Sequence, residues 1–525
     1  MAQLSGTGER DKIKPLMGIC EGGLQTHSNI LSLKPGHALK LQNYEPALGG
    51  GYRRLSGFNK FDLNEVTGQA GAPVLGVCVF GTGVLAAKKR SGTNNSDVFF
   101  SIGSGWGTAI NGATPRTSFQ SKYNFVRYNW TGIKRVIMVD GVDFPARWDG
   151  TTYTLINTTA GLGAPVNPKY IEEFKNYIFY AGYTANTGEI KWCNNLAETA
   201  FSGGNSGTLV VGDTITGLVR FRDQLIIFCE NSIHRLTGSN TLDFQLLPIT
   251  ENIGCIAPNS IVEVGGDILF VGPDGVRTLA ATERNDDFEL GSISRNIQST
   301  ANSMVPTAGV NNVVATAVRK KNQYRVFYPT TGQAETQALG ILGGIRSQSE
   351  GGLVWEWSTL KGIKPHTVDS SFINEDEYVI HGGFDGFVYR QENGVNFNNT
   401  AITSIFRTAD ITFGDPGIRK TLHRVKIFYK VEGTTTINLG LEYDHNAFGI
   451  IQPANITITK TSSNSVYGTG TYGNATYGTE DNSVLTKNTV GSGFEVALNF
   501  SVASATDSSH TIQGFVIDYA IAGRR

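Results

Sequence analysis

The chain has 525 residues, of which 40% are hydrophobic and 17% charged, with a formal net charge of −1. An average globular protein carries about 25% charged residues, so a charge-rich disordered chain and a long coiled coil are excluded, and no global field advertises a nucleic-acid or membrane partner. The 64 glycines follow no G-X-Y period and fall between short runs rich in Val, Ile, Phe and Tyr, the texture of many strands and tight turns.

At about 150 residues per domain the length predicts two to four domains, with enough chain to bury a sizeable core. The five cysteines (Cys20, Cys78, Cys193, Cys229, Cys255) are odd in number and widely spaced. Cys78 and Cys229 sit inside the apolar runs VLGVCVF and LIIFCE, so buried free thiols in a reduced compartment are expected rather than disulfides or metal ligands. No run approaches the ~18 apolar residues that span a bilayer. The opening MAQLSGTGERDKIK has no apolar h-region, so secretion by a cleaved signal peptide is not expected. The sequons at Asn129-Trp130-Thr131 and Asn474-Ala475-Thr476 then read as chance matches.

From about residue 70 to 395 a unit recurs: apolar strand, polar turn, strand, Gly or Asp-Gly, strand. It begins with VLGVCVF (74–80), GVLAAKK (83–89) and DVFFSIG (97–103). It continues through FVRYNW (125–130), KRVIMVDG (134–141), ARWDGTTYTLI (146–156), YIEEFKNYIFYAG (170–182) and LVRFRDQLIIFCENSIHRLTG (218–238). SIVEVGGDILFVGPDGVRTL (260–279), VATAVRKKNQYRVFYP (314–329) and SFINEDEYVIHGGFDGFVYR (371–390) complete it. The period of ~45 residues is that of a four-stranded propeller blade and predicts a β-propeller of six or seven blades over 61–400. A sandwich pair or a β-helix would show similar spacing but fits the period less well. Residues 1–60 are expected to form an N-terminal arm, and a strand near Tyr52–Phe61 to pair into the propeller and remove an exposed edge.

One stretch reads as helix. Ile293, Ile297, Ala301 and Met304 recur at helical spacing through Ser294–Met304, and Pro306 is expected to end the helix. From 401 to 525 the strands lengthen and alternate at period two, as in TAITSIFRTADITFG and TLHRVKIFYKV, which predicts a separate β-sandwich. Between its strands lies a Gly/Tyr loop insert (466–480) with Tyr467, Tyr472 and Tyr477 every five residues. Those tyrosines are a candidate contact loop, because the side chain offers rigid amphipathic area at low entropic cost; a flexible exposed tip is the plainer reading.

No catalytic, cofactor or metal site emerges from motifs. GTGTYG (468–473) matches a dinucleotide fingerprint but lacks the βαβ context that would hold a pyrophosphate. Glu283, Asp286, Asp287 and Glu289 match no EF-hand and read as a solvated blade-edge loop rather than a Ca²⁺ site. Asp140, Asp143 and Asp149 sit in ordinary Asp-Gly turn chemistry. The eight histidines are scattered, and there is no H-E-x-x-H, paired CxxC, P-loop or G-x-S-x-G elbow. Paired glycosidase carboxylates meet only in space and stay open, although the repeated boxes of sialidase propellers do not appear.

Several strings resemble a known family. SLKPGHALKLQNYEPALGGGYRRLSGFNKFD (32–62) resembles the N-terminal signature of tailed-bacteriophage tail hub or nozzle proteins, which include the packaged-DNA stabilization proteins of short-tailed phages. There, gly-gly, arg-arg and gly-phe precede the propeller. The segments 216–238, 251–279, 367–391 and 413–430 and the helix at 294–304 are similar to the same family. The likeness covers about 30–440, and 441–525 departs from it. It implies a non-enzymatic structural protein of the virion tail, assembled in the host cytoplasm without cofactors. As implied, it is a hexameric ring docked on a portal or head-to-tail adaptor, with tail fibre, spike or needle proteins nearby and no membrane. DNA would pass non-specifically along the axis, retained after packaging and conducted during ejection. A near-neutral, slightly acidic propeller suits that role, because a basic lining would hold phosphates by counterion release. Two alternatives remain: a glycan-binding or glycan-cleaving propeller, and a cellular propeller scaffold.

Overall fold

The computed structural model describes residues 13–112, 114–280, 292–347, 353–447, 450–461 and 482–523. Among them seven sheets follow one another in chain order as blades around an axis, forming a β-propeller. Blade 1 is Val74–Phe80, Gly83–Lys89 and Ser96–Ser101; blade 2 is Asn124–Trp130, Ile133–Val139, Ala146–Trp148 and Tyr153–Leu155. Blade 3 is Tyr170–Phe174, Tyr177–Ala181, Glu189–Trp192 and Gly207–Val210; blade 4 is Ile215–Phe221, Gln224–Cys229, Ile233–Thr237 and Gln245–Thr250. Blade 5 is Val262–Val264, Asp267–Gly272 and Gly275–Thr278; blade 6 is Val314–Val318, Gln323–Phe327, Leu339–Ser347 and Leu353–Lys361. Blade 7 is Pro365–Ile373, Asp376–Gly383 and Val388–Gln391, with Phe58–Lys60 as its outermost strand.

The second strand of most blades is a nearly continuous buried run because blades stack on both of its faces: every residue of Tyr177–Ala181 and of Gln323–Phe327 is buried, as expected where a strand is covered on two sides. The first hairpin in several blades turns in two residues with both φ values positive, at Thr131-Gly132, Lys175-Asn176, Gly265-Gly266 and Asn374-Glu375. That conformation matches the twist of the flanking strands. Apolar clusters fill the interfaces between successive blades, such as Leu75, Cys78, Val136 and Trp148 between blades 1 and 2, and Phe174, Phe179, Ile215 and Leu225 between 3 and 4. All five cysteines are buried and free.

Closure of the ring differs from the expectation in one respect. The segment 52–61 divides: Phe58–Lys60 pairs with Val388–Gln391 and closes blade 7, whereas Tyr52–Arg54 pairs with Tyr44–Pro46 and with the C-terminal strand His510–Gly523. The physical reason lies in the chain between them, where the Leu55 N–H donates to the Asn43 carbonyl at 3.0 Å and the Gly57 N–H to that of Gly394, beyond blade 7, at 2.8 Å.

After blade 7 the chain forms a β-sandwich. One sheet contains Arg419–Val431, His510–Gly523 and Asn482–Asn488, joined by the N-terminal strands Lys14–Ile19 and Tyr52–Arg54. The other contains Ile402–Thr408, Val496–Ser504, Thr435–Tyr443 and Ile456–Lys460. Their facing residues, among them Val425, Ile427, Phe515, Leu439 and Phe500, share one core. The sandwich is not separate from the propeller, however. Ala38–Gln42 pairs with Leu353–Lys361 of blade 6 on one side and with Ile402–Thr408 on the other, so one nine-stranded sheet runs from a blade into the sandwich.

The helical stretch is a single 3₁₀ turn, Arg295–Ile297, followed by α1, Gln298–Ala308. Ile297, Ala301 and Met304 are buried in the core shared with the sandwich, as their spacing predicts. Pro306 does not end the helix. It lies within the last turn, where it gives up the bond an N–H would donate to the Asn302 carbonyl, and the chain leaves the helix at Gly309 with φ +79°.

Candidate functional site

Two places gather polar side chains: the junction between propeller and sandwich, and the axis of the propeller. At the junction, Glu45 is buried and surrounded by cations. Arg53 reaches it at 2.8 Å, Lys321 at 2.7 Å and Arg325 at 3.3 Å. Gln323 donates to the same carboxylate at 3.1 Å. Glu392, at the end of blade 7, accepts from Lys321 and Arg325 at 2.5 Å each. Those two cations hold the Glu392 carboxyl down at about 2, and the cluster holds Glu45 below the usual carboxylate range against the cost of burial. Arg53 also grips Glu432 of the sandwich at 2.5 and 2.7 Å.

Arg54 points the other way. It donates to the carbonyls of Asp507 at 2.7 Å and Ser504 at 2.9 Å, and to that of Ile402 at 3.3 Å. The arginine pair of GGGYRRLSGF therefore fastens the N-terminal segment to the sandwich, and Glu45 ties the same segment to Lys321 and Arg325 of blade 6. Two of its glycines are required by close approach: a Cβ on Gly51 would lie 2.3 Å from the Ile512 carbonyl oxygen, and one on Gly57 2.0 Å from that of Asn396.

Along the axis, inner-strand residues of all seven blades line a cavity of about 410 Å³. Its charged groups are largely paired across blades. Arg127 of blade 2 meets Asp369 of blade 7 at 2.7 Å, and the Val79 N–H of blade 1, between them, donates to the same carboxylate at 2.7 Å. Arg319 donates to the Ser370 carbonyl and hydroxyl at 3.0 and 2.8 Å. Arg220 pairs with Glu173. Glu172, which accepts the Glu173 N–H at 3.0 Å, has its carboxyl pushed up to about 7, chiefly by burial. The wall can hold a small polar molecule and exchange a proton at Glu172. It is far too small for a nucleic-acid duplex.

The residues expected from the sequence fare differently. Tyr467, Tyr472 and Tyr477 and the acidic run Glu283, Asp286, Asp287 and Glu289 lie outside the described residues. Asp140 and Asp149 accept backbone N–H groups in turns, Asp143 instead accepts the N–H and hydroxyl of Thr117 at 2.7 Å each, 26 positions earlier, and Asp140 also pairs with buried Arg116 at 2.6 Å. Among the described residues no group of three or more His, Cys, Asp or Glu is placed to hold a metal ion. No described helix is long and apolar enough to cross a membrane. The Glu45 cluster and the Arg127–Asp369 pair escape sequence reading, because Glu45 and Arg325 lie 280 positions apart and Arg127 and Asp369 lie 242 apart.

No family model matches the chain, and no curated protein matches it. Solved structures similar to it include the extracellular domain of a putative hybrid two-component system from B. thetaiotaomicron (TM-score 0.37, 11% identity), of whose length the chain covers 42% against 70% of its own. Kluyveromyces lactis Hsv2p is similar at TM-score 0.31 and 9% identity, over 61% of this chain and 97% of that one. A glycoside hydrolase family 43 arabinoxylan arabinofuranohydrolase from Bacillus subtilis is similar at TM-score 0.27 and 10% identity, over 89% and 99%. Likeness this distant says nothing about activity.

Proposed function

We propose that the protein is a structural component of a bacteriophage tail, a hub or nozzle subunit that assembles into a hexameric ring and retains and conducts packaged DNA. One observation carries the reading. The segment whose sequence resembles the tail-hub signature is the one that welds propeller to sandwich: Arg53 and Arg54 hold the sandwich, while Glu45 holds Lys321 and Arg325 of blade 6 and Phe58–Lys60 pairs with blade 7. A conduit under mechanical load needs subunits that move as single bodies. The axial cavity of one subunit admits no duplex, so DNA would pass between subunits, around a cyclic axis that closes heterologous contacts. The ring would dock on a portal or adaptor ring, with Tyr467, Tyr472 and Tyr477 as contact residues.

Electron microscopy of the purified full chain and of its parent particle tests this. The expected image is a six-fold ring with an open centre; replacing the three tyrosines with Ser should weaken ring or partner contacts while leaving the fold intact. A monomer both alone and with virion partners, together with particles that lack the protein yet deliver DNA normally, would end the reading. The glycan alternative draws on the polar axial cavity with Glu172 and Asp369 on its wall. Cleavage or saturable binding in an oligosaccharide screen, lost on Glu172→Gln, would favour it instead.

A further inference from the structure

Lys122, Lys169 and His366 immediately precede Tyr123, Tyr170 and Thr367, which line the axial cavity at the start of the inner strands. Lys122 and Lys169 precede the strands of blades 2 and 3, while His366 opens that of blade 7. Lys122 extends over the mouth to the carbonyl of Asn311, ahead of blade 6, at 2.5 Å. Lys169 lies over the Tyr170 ring, 5.4 Å from its centroid, and its carbonyl accepts from Asn124 at 2.8 Å. The Nδ1 of His366 sits 2.7 Å from the Val74 carbonyl oxygen. A carbonyl only accepts, so Nδ1 carries the proton and Nε2 of the neutral ring offers a lone pair.

The three groups sense one another. Burial and the nearby Lys169 push Lys122 down to about 7, and burial and Lys122 push His366 down to about 4. Lys169 is also lowered by burial. Among the described residues neither lysine forms an ion pair, whereas Arg127 and Arg220 on the wall below are matched to Asp369 and Glu173. Half-buried like charges cost free energy that an anion between them recovers.

We propose that Lys122, Lys169 and His366 form a binding site for a small phosphate-class oxyanion, free or as a terminal monoester, at the mouth of the propeller channel. The lysines donate to its oxygens, and the His366 Nε2 accepts the proton of inorganic monohydrogen phosphate; a monoester, whose second pKa is about 6, is mostly the dianion at pH 7 and is held by the lysines. A carboxylate has no such proton, which favours phosphate over acetate. The site is independent of the tail reading.

Calorimetric titration of the full chain at pH 7 with inorganic phosphate, adenosine monophosphate and acetate tests it. Saturable phosphate or monophosphate binding is expected, with acetate weaker. Lys122→Met and Lys169→Met should each weaken it by about tenfold or more, the worth of one charge-assisted hydrogen bond. Lys122→Arg, which keeps the charge, should retain most of the affinity and guards against loss through misfolding. Binding of the monophosphate but not the free ion assigns a monoester, and the reverse assigns inorganic phosphate; either supports the site. No saturable binding of either, binding unchanged in Lys122→Met/Lys169→Met, or acetate as tight as phosphate would overturn it.

Discussion

Glu45 shows how one buried charge can organise a junction. Removed from water it would be costly, yet Arg53, Lys321 and Arg325 surround it and Gln323 completes its hydrogen bonding. Breaking a buried ion pair by deleting one partner leaves the others uncompensated. Glu45→Ala should therefore cost about 3–5 kcal/mol, read as a lowered urea midpoint, whereas truncating Lys320, an exposed partner of Asp376, should change little, since Asp376 keeps Arg390. A midpoint unchanged in Glu45→Ala would mean that the cluster is ornamental. Three histidines contribute to the acid response, and Glu172, held up at about 7, acts in the opposite direction between pH 7 and its ordinary range. His381 and His510 are fully buried and pushed down to about 3, His381 by burial and His510 by burial plus Arg54 and Arg53; His366 lies near 4. Their folded values lie below the unfolded value of 6.5, so the unfolded chain binds more protons between the two. Their contribution is complete above pH 6.5 and is lost as the pH falls toward 4 and then 3, by up to about 1.4 kcal/mol per pH unit for each histidine. Urea unfolding from pH 7 to 4 should show this slope, and His381→Gln should remove one histidine's share. An identical slope in that variant would refute the assignment.

At the scale of elements, the closing strand Phe58–Lys60 decides whether the propeller ring is sealed. Phe58 stacks on Phe397 at 5.0 Å and meets His381 and Tyr389 edge-on at 5.1 and 5.2 Å. Phe58→Ala should cost about 3–5 kcal/mol, and the amides of Val388–Gln391 should lose hydrogen-exchange protection to a greater extent than those of blade 4. Equal protection in both blades would place closure elsewhere. This strand also marks how far the sequence could be read. Blade strands announced themselves because stacking on both faces demands continuous apolar runs, and the sandwich strands because one face is wet; Thr435–Tyr443 alternates without a break. Short strands such as Tyr52–Arg54 and Phe58–Lys60 carry three residues each, too few for a period, so their division between two modules was not legible. Nor were the polar clusters, since nothing local in YEP or in VRKKNQYRVF says that Glu45 will meet Lys321 and Arg325. Helical spacing at Ile297, Ala301 and Met304 was legible, but Pro306 falls inside the last turn instead of after it, at the loss of one bond to the Asn302 carbonyl.

The whole molecule is tied at three levels, and together they predict how it unfolds. One sheet passes from blade 6 through Ala38–Gln42 into the sandwich. One apolar core continues from Val271 and Tyr324 of blades 5 and 6, past Met304 of α1, to Phe406 and Phe515 of the sandwich. The Arg53 and Glu45 cluster adds charge-assisted bonds across the same boundary. Two modules joined only by a linker would melt separately, because neither would lose contacts when the other opened. Here, losing the sandwich would strip the cover from Leu41, Tyr44 and Tyr52, all fully buried, and leave Ala38–Gln42 as an exposed edge. Calorimetry should accordingly show one endotherm whose calorimetric and van't Hoff enthalpies agree, and a chain ending at residue 400 should aggregate instead of folding into a free propeller. Two resolved endotherms, or a soluble truncated chain with native strand content, would mean that the boundary is a hinge. A hinged subunit would transmit load poorly along a ring, so that outcome would count against the tail reading as well as against the cooperative one.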